Sequence, residues 1–425
     1  MATGFFLLPR ADRASDDWSS RSLRSMLVAR SERNRIDLPL LTVARERGVF
    51  VRSADDANHN TIPEDLSNYK VARKGDLVIN KMKAWQGSLG LAPVDGIVSP
   101  AYFVFAADFA VPRFGEYLLR SKPYVAKFGA ASDGVRIGQW DLSIPRMRNI
   151  EVLLPPPEEQ AAIVKYLAHA NARIDKAIAA KRRLIALLEE QRDVTVRAIL
   201  SEGSDSRPPS EFVATGRLCR IDTGVEDSGN ADPNGRYPFF VRGREVLRAS
   251  DYHFDAEAVL TPGDGQGGTG KVFHYYNGKF QAHQRVYVFS QFSGVIARYF
   301  YWYMTAFFRE HALAQSNTVT MESLRRPVLA SFRVAVPDEC AQQVLVERIE
   351  ARVADAAQVI EKTQREIALL QEFRTRLVAD VVTGQVDVRA IAETLPAVPE
   401  CEDRHLDEPI HSLEGDLHDE ESVNE

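Results

Sequence analysis

The chain has 425 residues, 45% hydrophobic and 26% charged, with 25 Gly and 21 Pro, an ordinary composition for two or three domains of about 100–200 residues each. No stretch reaches the roughly 20 uninterrupted apolar residues of a membrane-spanning helix. Cys219, Cys340 and Cys401 stand apart, with no Cys-x-x-Cys pair and no His at zinc spacing, which argues against a membrane, secreted or zinc-stapled protein and for a cytoplasmic one with reduced thiols. The net charge of −6 hides an asymmetry: Ala390 to Glu425 holds twelve Asp or Glu against Arg404 alone, leaving the preceding 389 residues at about +5.

In chain order, the first 150 residues are β-rich and punctuated by glycine. Candidate strands fall at Gly75 to Ile79 and Tyr102 to Phe105, followed by a helical pattern from Gly115 to Lys127. After Pro155-Pro156-Pro157 comes a helix of about 40 residues, ending near Leu200. Its apolar seam, Leu167, Asn171, Ile174, Ile178, Lys181, Ile185, Leu188, Arg192, Thr195 and Ile199, alternates steps of four and three as a coiled coil does. A turn-rich linker, Ser201 to Ser210, leads to a second β-rich stretch. Its candidate strands are Ala258 to Leu260 and Val286 to Phe289, with a helix from Ala297 to His311. Pro337 then opens a second long helix with the seam Ile349, Val353, Ala356, Ile360, Thr363, Ile367, Leu370, Arg374, Leu377 and Val381. The acidic end, with Pro396, Pro399 and Pro409 and few apolar residues, is expected to be disordered.

A shift of 182 residues lays one half of the chain on the other without a gap. Leu142 meets Leu324, Pro155 meets Pro337, Gln160 meets Gln342, and Ile185-Ala186-Leu187-Leu188 meets Ile367-Ala368-Leu369-Leu370. One unit, an α+β domain followed by a long helix, has been duplicated, and the domains have diverged more than the helices. Two such helices are expected to pair as an antiparallel spacer, with Lys181, Arg192 and Arg374 as polar register positions.

This pattern resembles the DNA specificity subunit of type I restriction-modification systems, the HsdS family, over about residues 18 to 389. The resemblance rests on Val152-Leu153-Leu154-Pro155-Pro156-Pro157-Glu158-Glu159-Gln160 and the helix it opens, on Val334-Ala335-Val336-Pro337, and on the closing Val382-Thr383-Gly384-Gln385. The second copy departs from it, with Asp338-Glu339-Cys340-Ala341-Gln342 in place of the fuller Pro-Pro-Glu-Glu-Gln. The resemblance implies an α+β fold with two related target recognition domains, 1–155 and 204–336, two spacer helices, 156–203 and 337–389, and a disordered acidic tail, 390–425. It further implies a non-catalytic subunit that reads a bipartite site in double-stranded DNA. Its partners would be two methyltransferase subunits, which bind S-adenosylmethionine, and restriction (translocase/endonuclease) subunits that use ATP and Mg. A rod of roughly 60 Å exceeds one DNA turn of about 34 Å, so the half-sites should be split by unread base pairs.

The most tempting catalytic motif is Gly263-Asp264-Gly265-Gln266-Gly267-Gly268-Thr269-Gly270-Lys271. It satisfies G-x-G-x-x-G and nearly a phosphate loop, but Val272 replaces the magnesium-binding Ser or Thr, and β-branched and aromatic residues follow where a helix is required. It reads as a hairpin before an Asn277-Gly278 turn, or as a loop that approaches DNA backbone. No motif of the Asn-Pro-Pro-Tyr kind presents a base for methylation, and no cofactor is expected in this chain. Arg and Lys neutralise phosphates or read guanine, and Gln and Asn read adenine. Basic and amide side chains beside turns therefore make the candidate DNA contacts. These are Lys81, Lys83, Gln86, Arg136 and Gln139 in the first domain, and Arg242, Arg244, Gln266, Lys271, His283 and Arg285 in the second, with Trp85 and the Tyr299 to Trp302 cluster assigned to the core. The competing readings are a coiled-coil interaction scaffold without DNA affinity and, built on the glycine loop, a nucleotide-hydrolysing enzyme.

Overall fold

The computed structural model describes residues 17–45, 47–52, 65–134, 140–202, 212–264, 270–315 and 323–397. The chain divides into two units, 1–180 with 365–407, and 181–364 with 408–425. The fold is α+β, with two long helices, Pro157–Ser201 and Glu339–Val382, each contributing to both units.

In the first unit, Ser19–Ser22 pairs antiparallel with Glu151–Leu154, so the start and end of the β-rich stretch lie side by side. A four-stranded sheet runs in the order Leu27–Ala29, Tyr102–Ala107, Leu77–Asn80, Leu89–Leu91. The expected single helix from Gly115 is two, Pro112–Arg120 and Lys122–Ala130. The break falls where Ser121 takes an extended conformation, donates its hydroxyl to Leu118 O (2.7 Å) and precedes the Lys122-Pro123 helix start. Proline is tolerated in a first turn and disfavours helical geometry just before it. The core joins Leu23, Met26, Leu77, Ile79, Phe105, Phe114 and Phe128 to Leu167, Leu377 and Val381 of the long helices. Those segments run antiparallel, because Glu159 approaches Arg389 (4.0 Å) while Asp175, further along, pairs with Arg374.

In the second unit, Phe212–Ala214 pairs with Arg333–Ala335 in the same role. Its six-stranded sheet has the order Arg220–Thr223, Val286–Ser290, Phe254–Pro262, His274–Ala282, Tyr237–Phe240, Val246–Ala249. The Asn277-Gly278 turn read from sequence does not occur. His274–Ala282 passes straight through it, with Asn277 opposite Glu257 and Gly278 opposite Ala256. The positive φ of Gly278 (130°), which glycine adopts at no steric penalty, is absorbed within the strand. Phe289, Tyr299, Phe300, Phe308 and Val334 form the core with Ile199, Leu200, Val346 and Ile349. Trp302 is buried with them, and Tyr301 packs at the cluster's edge.

Both units fasten the long helix in one way. Gln160, buried, donates to Pro155 O (2.8 Å) and accepts from the Val111 N–H (3.2 Å) at the head of Pro112–Arg120. Gln342, buried, donates to Pro337 O (2.8 Å) and accepts from the Ile296 N–H (2.7 Å) at the head of Ala297–Ala314. Within the stretch whose composition predicts disorder, Arg389–Thr394 forms a short helix with Ala392 buried. The tail beyond residue 397 lies outside the described residues.

Candidate nucleic-acid interface

The first unit places its candidates on the segment leaving strand Leu77–Asn80. Asn80 Oδ1 accepts from the Met82 N–H (3.1 Å), an Asx turn that ends the strand. A 3₁₀ turn, Ala84–Gln86, follows and closes at Gly87 with φ 89°. Trp85 is half-buried, donates its indole N–H to Met82 O (3.1 Å) and packs against Trp140 (5.3 Å between ring centroids). Lys81 pairs with Asp141 (2.9 Å), Lys83 is exposed and Gln86 half-buried. Arg136 and Gln139 lie outside the described residues.

Sequence reasoning missed Lys70, which feels the charge of Lys81, and Arg33 beside it. Arg33 bridges to Lys70, whose ammonium donates to Tyr102 O (2.6 Å). Burial, then the positive charges of Arg33 and Lys81, hold Lys70 below the ordinary lysine value. Lys70 thus lies within the electrostatic reach of two further cations, Arg33 and Lys81. Their positions are far apart in the chain and outside any turn signal, so only the fold reveals them.

The second unit assembles its candidates from four segments. His283, buried, is the hub: its backbone N–H donates to Phe240 O (2.9 Å), and its Nδ1 accepts the Arg285 N–H (3.0 Å). The ring proton therefore sits on Nε2, 3.9 Å from Asp227 Oδ2. Burial, and next the charge of Arg242, push the imidazole below its ordinary value. The neighbouring Gln284 N–H donates to Glu226 O (2.9 Å). Gly224, leading into that segment, admits no side chain: a Cβ there would lie 2.1 Å from Ala282 O.

On this frame Arg285 meets Asp264 at 2.7 Å and Arg242 approaches the same carboxylate at 4.0 Å. Arg244 pairs with Glu189 of the first long helix, and Lys271 is exposed. Gln266 lies outside the described residues. After Lys271 the chain enters strand His274–Ala282 with Val272 and Phe273 buried, so neither the helix nor the hydroxyl of a nucleotide site is present there. Among the described residues no group of three His, Cys, Asp or Glu is placed to hold a metal.

A pocket of about 410 Å³ in this unit is lined by Phe240, Phe273, His274, Tyr275, Arg298 and Tyr301 among others. Two of its polar side chains are paired internally, Arg298 with Glu350 and the Tyr275 hydroxyl with Glu257 (2.7 Å). Burial and Glu257 push that phenol up to about 12.

The loops of the two units occupy equivalent places. In the first, Leu142 N–H donates to Lys81 O (3.0 Å); in the second, Leu324 N–H donates to Gly263 O (2.6 Å). The residues on either side of these bonds are related by the same 182-residue shift.

The fold is shared with a solved chain described under the complex assembly and conformational transition of the type I R-M system. The TM-score is 0.53 at 17% identity, over 90% of this chain and 100% of that one. The HsdS subunit from Thermoanaerobacter tengcongensis aligns over 91% of this chain and 100% of its own at 17% identity, with a TM-score of 0.39. The two α+β units with long helices are thus the fold that the first of these chains shows. Residues 209–369 match the type I restriction modification DNA specificity domain. The Escherichia coli type I restriction enzyme EcoDI specificity subunit is 26% identical over 174 residues, 41% of this chain. That match spans 38% of the E. coli subunit's length.

Proposed function

We propose that this chain is the sequence-specific DNA-binding subunit of a type I restriction-modification complex, without catalysis of its own. Each unit reads one half of a bipartite site in double-stranded DNA. The observation that carries this reading is the equivalent placement of two cation-bearing loops, at Lys81 and at Gly263, pinned by the same backbone bond in each unit. Arg33, Lys70 and Lys81 supply the positive charge in one, and Arg242, Arg285 and Lys271 in the other. Phosphate contacts from such groups give affinity, and contacts to base edges give sequence choice. Two methyltransferase subunits, carrying S-adenosylmethionine, and restriction subunits using ATP and Mg supply the chemistry. Extrusion of the target base belongs to the methyltransferase.

The test is genome-wide adenine methylation by single-molecule sequencing, in cells with and without this gene and with the methyltransferase partner present. A split motif with an unread centre is expected to vanish on deletion, and exchanging residues 18 to 150 should alter only one half of it. Unchanged methylation with both proteins expressed would leave the coiled-coil scaffold as the better reading.

A further inference from the structure

The carboxylate of Asp264 is unusual among the groups around the second unit's loop. Its side chain is only 18% exposed, and its Oδ1 is buried with no hydrogen-bond partner among the described residues. Its other oxygen holds Arg285 at 2.7 Å, and Arg242 stands 4.0 Å away. Arg285 itself is 62% exposed. One guanidinium nitrogen, Nη1, is held by a largely buried carboxylate, and the side chain is otherwise mostly open to solvent.

A guanidinium held through Nη1 keeps its Nε and Nη2 as a planar donor pair for a second acceptor, the geometry that meets guanine O6 and N7 together. A phosphate contact makes the opposite demand. It draws on uncompensated positive charge, and Asp264 offsets one of the two arginine charges beside it. The backbone of Arg285 is equally constrained, by the His283 Nδ1 it donates to and by the Gly263 N–H, which donates to Arg285 O at 2.7 Å. Backbone and head group are therefore both set before any partner arrives.

We infer that Asp264 is a positioning residue that aims Arg285 at a guanine in the half-site of the second unit, with Arg242 behind it. This rests on the DNA-reading proposal and adds the base and the residue that chooses it. Asp264 touches no base, because the oxygen not bound to Arg285 is buried.

The experiment compares the methylation motif of the complex, formed with its methyltransferase subunits, across wild type, D264N, D264E and R285Q. In D264N and in R285Q one G·C position in one half-site is expected to become degenerate. Methylation of sequences with the wrong base there should rise about ten-fold, the value of one good bidentate contact. The other half-site stays as in wild type, and D264E, which keeps the carboxylate, restores part of the discrimination. R285Q changes an exposed side chain, so its result stands even if D264N disturbs folding. A motif unchanged in R285Q overturns the inference while leaving the DNA-reading proposal intact. Uniformly weaker methylation with no change of motif does the same, and marks the pair as a phosphate contact. A wild-type complex that methylates no motif overturns the DNA-reading proposal, and the inference with it.

Discussion

His274 and His283 are both held below the ordinary imidazole value of 6.5, chiefly by burial. Nearby Arg244 adds to this at the first and Arg242 at the second, while Asp227 and Asp264 act against it at His283. The folded rings stay neutral where the unfolded chain takes up protons, so these groups lower stability as pH falls below about 6.5 and leave it unchanged above. Urea unfolding at pH 7.5 and 5.5 should show the loss, and a steepness unaltered in H274N/H283N would assign the acid response elsewhere. Sequence reasoning reached Arg242, His283 and Arg285 because each stands beside a turn with a DNA-compatible side chain. It did not see that His283 is a buried hub, nor that both arginines turn toward Asp264, because convergence is a property of strand order. Arg33 and Lys70 escaped for the same reason: one lies in an irregular segment, the other at the start of a short strand, Lys70–Ala72.

At the scale of elements, Gln160 and Gln342 make the sharpest comparison. Replacing either by Ala strips a buried carbonyl and a part-buried N–H of their partners, at about 1–3 kcal/mol for a fully buried unsatisfied group. Q160A and Q342A are therefore expected to destabilise their units by similar amounts, measured by thermal unfolding; a neutral effect in one would break the equivalence. I349A removes a fully buried seam residue and should cost about 2–5 kcal/mol, whereas the exposed Leu369 should tolerate Ala. The long helices were legible because a seam needs apolar residues at fixed spacing, and every seam position read on the second helix lies out of full solvent exposure. Asn277-Gly278 misled because the pair carries a turn signal that long strand neighbours overrode. The break at Ser121 was missed because periodicity continues across it.

For the molecule as a whole, charge governs the expected behaviour toward DNA. If several of the cations described meet phosphates, log affinity falls linearly with log salt, by about 0.9 per phosphate neutralised. Mutating Lys70 should shallow that slope without altering the motif, the reverse of R285Q; binding measured from 50 to 200 mM salt separates the two. If the acidic tail competes with DNA for the basic body, removing it tightens DNA binding. Its truncation is best placed after residue 397, because Ala392 is buried and Arg389 reaches Glu159. Tighter DNA binding by that truncation is expected, and unchanged affinity rejects the competition. The paired glutamines bear on the exchange of units as well. Each unit presents its helix with the same plug, one amide meeting one proline carbonyl and one helix-head N–H. A unit exchanged for another on the same pair of helices need preserve only that fitting and the flanking strand pair.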